Sequence, residues 1–109
     1  MEIQQGAVLK VEKIKDPVFV ASKNFFNQSG EIIGCPILGE STESPLHIYV
    51  EMNENKGYIQ CEQMKMLDLR VRGYKIIDRV KMADVINRRN TEYIRLYINA
   101  GNQSGTLHS

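Results

Sequence analysis

Residues 62–73 read EQMKMLDLRVRG, and the alternation in this segment decides the architecture. Past Met66 the aliphatic residues Leu67, Leu69 and Val71 fall at every second position, with Asp68, Arg70 and Arg72 between them. A period of two marks a strand with one buried and one solvated face. It predicts that the three aliphatic residues enter a core and that both guanidinium groups point outward, until Gly73 ends the run. Upstream, Ile59 and Cys61 share that phase, but Met64 and Met66 between them fall on the opposite one. A single long strand starting at Tyr58 therefore needs a bend or bulge near Met66 to change register.

Short strand signals also fill the sequence before this segment. AVLKVEKI (7–14) and DPVFVAS (16–22) read as two strands joined by a tight connection around Lys15, Asp16 and Pro17. The proline is placed at a strand start, where a missing N–H is tolerated. In SKNFFNQSGE (22–31), Ser22 has the chemistry to cap one helical turn, and Gly30 can supply the positive φ that closes it. EIIGCPIL (31–38) is a third strand, and its Gly34 and Pro36 predict a bulge or a place near a sheet edge. LHIYVEM (46–52) alternates Leu46, Ile48 and Val50 with His47, Tyr49 and Glu51; after it NENKG (53–57) has turn composition, and KIIDRVK (75–81) is the last strand candidate.

From Met82 the period becomes helical, with Met82, Val85, Ile86, Tyr93, Leu96 and Tyr97 on one face as far as a stop at Gly101. Many short strands followed by one amphipathic helix predict a mainly β fold with a C-terminal helix: a strongly bent antiparallel sheet or small barrel. At 109 residues the chain suits one core. We expect a single domain over 1–100 and a mobile tail over 101–109.

Composition narrows the function. The chain is 42% hydrophobic and 25% charged, ordinary for a globular protein, and it has no apolar run of the roughly 20 residues a spanning helix needs. The N-terminus lacks the layout of a signal peptide, so a cytoplasmic protein with no membrane partner is expected. Cys35 and Cys61 lie in apolar runs without metal-ligand spacing, which predicts two reduced core thiols and no metal or cofactor. The net charge of +1 hides an asymmetry: residues 1–64 balance to −4 and residues 65–109 to +5. A basic face on a nearly neutral protein is thereby allowed, and Gln63, Lys65, Arg70, Arg72 and Lys75 are the candidate contacts for the phosphates of a nucleic acid. Ion pairing of Arg70 and Arg72 with Asp68 or Asp78 is the structural alternative. Tyr58 and Tyr74 are the nearest aromatic candidates for stacking on bases.

The order of these elements, the CPI of Cys35, Pro36 and Ile37, and above all EQMKMLDLRVRG resemble the MazF/PemK (Kid) family of toxin endoribonucleases, where the last segment typically reads DQVKSLDWRARG. Gln63, Lys65, Leu67, Asp68, Arg70, Arg72 and Gly73 agree outright. The resemblance implies an SH3-like or CcdB-like barrel, a homodimer, neutralisation by an acidic antitoxin peptide, and metal-independent cleavage of single-stranded RNA by attack of a 2′-hydroxyl on the adjacent phosphate. It also implies a catalytic arginine before the proline of the second strand and a threonine after CPI. Here those positions hold Asp16 and Leu38. Glu62, Lys65 and Thr42 are the remaining catalytic candidates, and a non-catalytic RNA- or peptide-binding module is the alternative function.

Overall fold

The structure, a computed structural model, describes residues 3–40, 44 and 46–86. Its strands are β1 (Ala7–Val11), β2 (Val18–Val20), β3 (Glu31–Leu38), β4 (His47–Glu51), β5 (Lys56–Gln60), β6 (Lys65–Asp68) and β7 (Tyr74–Arg79). All pairings are antiparallel, in the order β4-β5-β3-β2-β1-β7, with β6 beside β3 off that path. The expected mainly β antiparallel fold is therefore present. The sheet does not close into a barrel among the described residues, because β4 and β7 end the path without pairing to each other. A one-turn helix α1 (Asn24–Asn27) links β2 to β3, and α2 starts at Met82–Ile86. The remaining helical positions, Tyr93, Leu96 and Tyr97 among them, and the tail 101–109 lie outside the described residues, as does the domain boundary drawn between them. No helix among the described residues is long and apolar enough to cross a membrane.

β3 organises the sheet. One flank pairs with β2, and the other pairs first with β6, from Glu31 to Gly34, and then with β5, from Ile37 onward. The strand is central and continuous over eight residues, contrary to the edge or bulge that its glycine and proline predict. Register explains the tolerance. Ile37 N donates to Pro17 O on the β2 side at 2.9 Å, so the nitrogen of Pro36 faces the opposite flank. There it meets the gap between the two partners, and no ladder hydrogen bond is lost.

The change of partner also relocates the break in the long strand. It falls at a 3-10 turn, Cys61–Gln63, and not at Met66, which sits inside β6 opposite Ile33. Leu67 and Leu69 are buried as expected, but Val71 is 75% exposed. β6 ends at Asp68, so the alternation that would bury Val71 does not continue into the turn. Ser22 does not cap α1, whose N-cap residue is Lys23 with no side-chain bond. Its hydroxyl is buried instead, donating to Asn27 Oδ1 and accepting from Ile33 N at 2.9 Å. Asn27 Nδ2 then donates to Ile3 O and Ser22 O, so one polar node ties the N-terminal segment and α1 to β3. Gly30 has φ +96 and ends this connection as expected.

Apolar packing occurs on both faces. One cluster holds Phe19, Cys35, Ile37, Ile48, Ile59, Val80 and Val85; the other holds Leu9, Val11, Val18, Val20, Ile32, Leu67 and Leu69. Because β1 and β2 contribute to both, VFV is buried at every position and shows no polar alternation. Each such side chain contributes about 1.5–3 kcal/mol by leaving water. The open side of the sheet is bridged by a side chain. Asp78 of β7 accepts hydrogen bonds from Asn53 N (2.9 Å), Glu54 N (3.2 Å) and Asn55 Nδ2 (2.9 Å) in the β4–β5 turn.

Candidate active site

The β1–β2 connection is short and tightly held. Ile14 N donates to Val11 O at 3.0 Å, Lys13 takes a left-handed φ of +67, and Lys10 Nζ donates to Ile14 O (2.9 Å) and Lys15 O (3.0 Å). This turn forms one wall of a cleft of about 200 Å³. Ile14, Val18, Pro36 and Leu67 supply apolar lining, while Lys15, Asp16, Gln63 and Lys65 supply polar groups. At Gly34 the cleft wall packs closely on β2: a Cβ there would come to 2.5 Å from Val18 Cγ1. Gln63 ends the 3-10 turn and Lys65 begins β6, so the change of strand partner on β3 brings both to the cleft.

The other predicted site residues are placed elsewhere. Arg70 forms a two-pronged pair with Asp68, Nε to Oδ1 and Nη2 to Oδ2, each at 2.9 Å. Its hydrogen bonds hold the Asp68 carboxyl down to a pKa of about 2. The Arg70 stem also covers Gly30, where a Cβ would meet Arg70 Cγ at 2.5 Å. Arg72 is exposed in the β6–β7 turn, and Lys75 is exposed on β7, paired in register with Lys10. None of the three lines the cleft. Leu38 is half-buried opposite Tyr58, one step beyond the cleft along β3, and Thr42 lies outside the described residues.

Glu62 is engaged by a residue that sequence spacing did not connect to it. His47 Nε2 donates to Glu62 Oε2 at 2.8 Å, and this bond lowers the Glu62 pKa. β4–β5 pairing makes the contact possible by setting His47 opposite Gln60, just before the turn that carries Glu62. The same ladder pairs Tyr49 with Tyr58 at a ring-centroid distance of 5.2 Å. By register, Leu38 and Tyr58 lie on the face of β3 and β5 that Pro36 shares, but neither tyrosine of the pair lines the cleft. Tyr74, the other aromatic candidate, is on β7. Cys35 and Cys61 are free, buried thiols, as their apolar settings predict; burial first, and then the charge of Glu62, pushes Cys61 up to about 12.

Comparison with solved structures gives the same fold. The MazE–MazF crystal structure (Form I) from Deinococcus radiodurans matches at a TM-score of 0.70 and 15% identity, covering 90% of this chain and 93% of that one. MazF (Form I) from the same organism gives 0.67 at 14% identity, over 90% and 94% of the two chains. An endoribonuclease in complex with its cognate antitoxin from Mycobacterial species gives 0.65 at 14% identity, over 88% and 97%. A search of the curated proteins finds no significant match. At the sequence level, residues 7–90 match the family model described as PemK-like, MazF-like toxin of type II toxin-antitoxin system. With more than half of its length matched, this chain belongs to the PemK/MazF toxin family.

Proposed function

We propose that this protein is the toxin of a type II toxin–antitoxin pair and cleaves single-stranded RNA, without a metal ion, through attack of a 2′-hydroxyl on the adjacent phosphodiester. The observation that carries this reading is the cleft between the β1–β2 turn, β3 and β6, where two lysines and Gln63 face apolar walls next to a carboxylate. Cations beside a low-dielectric surface attract a phosphate more strongly than they would in open water. The reaction needs a proton acceptor, a proton donor and positive charge near the phosphoryl oxygens, and the cleft holds groups able to serve each role. As in the antitoxin-bound structures it resembles, the chain is a candidate to bind an acidic antitoxin segment, and a homodimer is the expected assembly.

Incubating the protein with mixed-sequence single-stranded RNA in the presence of EDTA tests the proposal. We expect fragments with 2′,3′-cyclic phosphate and 5′-hydroxyl ends. Leu38 in place of a hydroxyl-bearing residue favours a second reading, a non-catalytic RNA-binding module. Intact RNA with retained, salt-dependent binding would select that reading, whereas no cleavage and no binding would refute both.

A further inference from the structure

We infer that Lys15 and Lys65 form a two-cation cradle for the scissile phosphate and that Asp16 accepts the proton of the attacking 2′-hydroxyl. This inference rests on the RNA-cleaving reading above and deepens it. Consecutive residues of one turn, Lys15 and Asp16, line the cleft together with Lys65 from β6. Neither lysine has an ion-pair partner among the described residues, whereas Arg70, the guanidinium of the motif, is already forked onto Asp68. The site charge also fits. Two ammonium groups and one carboxylate sum to a single positive charge, which complements a phosphodiester monoanion. The additional negative charge of the pentacoordinate transition state then develops beside two cations.

The turn is built to hold these groups still. Lys10 Nζ binds the carbonyls of Ile14 and Lys15, and Pro17 O accepts from Ile37 N, so both ends of the Lys15–Asp16 segment are fixed to strands. Lys10 does not line the cleft, so it is a positioning residue. In the proposed step the 2′-oxygen forms a bond to phosphorus as its proton passes to Asp16. The bond from phosphorus to the 5′-oxygen breaks, and that oxygen takes a proton from one ammonium of the cradle. The products are a 2′,3′-cyclic phosphate and a 5′-hydroxyl. Proton return from Asp16 through solvent resets the site, with no other reagent consumed.

The test combines single-turnover cleavage with anisotropy binding of a fluorescein-labelled, mixed-sequence single-stranded RNA, using variants first checked for folding by amide NMR. Lys15→Ala should slow cleavage at saturating RNA by about 100-fold, the size seen when one transition-state donor is lost. It should also reduce the salt slope of binding by about 0.7, one phosphate contact on a single strand. Lys15→Arg should recover part of both effects, and Asp16→Asn, which removes the proton acceptor, should slow cleavage by about 100-fold without weakening RNA binding. Lys10→Met should lower the rate by about 10-fold at nearly unchanged affinity, as expected for a misplaced group. Lys56→Ala, an exposed cation outside the cleft, serves as the control for general charge loss.

If the wild type cleaves RNA and Lys15→Ala cleaves equally well, the inference is overturned while the RNA-cleaving function stands. If the wild type binds but does not cleave, the cradle is judged by the salt slope, and the role of Asp16 is refuted. If the wild type does neither, the functional reading itself has failed.

Discussion

Replacing Asp78 removes the clamp across the open side of the sheet. Its carboxylate is 7% exposed and receives three hydrogen bonds from the β4–β5 turn and a fourth, 2.8 Å, from Arg79 N. Hydrogen bonds to a charged group are worth about 1.5–3 kcal/mol each, but they are not additive, and a surface turn regains water when released. Asp78→Ala should therefore cost about 2–4 kcal/mol, and Asp78→Asn, which keeps the shape and one acceptor oxygen, about half as much. The pH dependence separates this clamp from simple packing. Burial pushes the Asp78 pKa up, but hydrogen bonds from Arg79 N, Asn55, Glu54 N and Asn53 N outweigh it and leave the group below its ordinary value. A depressed carboxyl stabilises the fold above the ordinary carboxylate range, and that contribution is lost as pH falls. Urea unfolding from pH 7 down to pH 3 should show the wild type losing stability faster than Asp78→Asn. Parallel curves for the two proteins, or a cost below about 0.5 kcal/mol for the alanine, would refute the clamp.

Arg70→Ala should raise the Asp68 pKa from about 2 toward the normal range, read by carboxyl carbon NMR, with RNA affinity nearly unchanged because Arg70 does not line the cleft. A collapse of RNA binding together with an unmoved Asp68 would reverse that assignment. Cys61 should resist thiol reagents at pH 8 in the folded protein, and stability should fall as pH climbs from about 9 toward 12. Its raised pKa makes the neutral thiol's contribution complete below the ordinary thiol value and lost on ionisation. Full modification of native protein at pH 8, or a flat alkaline stability profile, would contradict the buried setting.

The regular parts of this fold are legible in the sequence because they depend on local pattern. Ile48 and Val50 alternate with half-buried neighbours in β4, and Gly30 takes its positive φ where the chain reverses. Local pattern misleads where a strand exchanges partners. Nothing within residues 58–71 announces that β3 passes from β6 to β5, so the break is predicted at Met66 instead of Cys61–Gln63, and Val71 is assigned to a core it never reaches. Ser22 illustrates the same limit: its place before a helical turn suggests a cap, while the strand that buries it, β3, lies later in the chain.

The candidate site is legible in part. Gln63 and Lys65 emerge from the motif and do line the cleft. Arg70 has the right chemistry for a phosphate, but the aspartate two residues earlier occupies it. Lys15 belongs to no motif and carries no local signal; only the folded turn brings it and Asp16 to one cleft. The His47–Glu62 contact spans fifteen residues and becomes visible only through β4–β5 pairing.

Mapping amide and lysine-ammonium NMR shifts while titrating the intact protein with a short mixed-sequence single-stranded RNA is the most direct measurement of where the phosphate goes. The largest changes should appear at Lys15, Asp16, Gly34, Gln63 and Lys65, weakening as salt rises. Changes confined to Arg72, Lys75 and the β7 edge, with the cleft residues unmoved, would contradict the account.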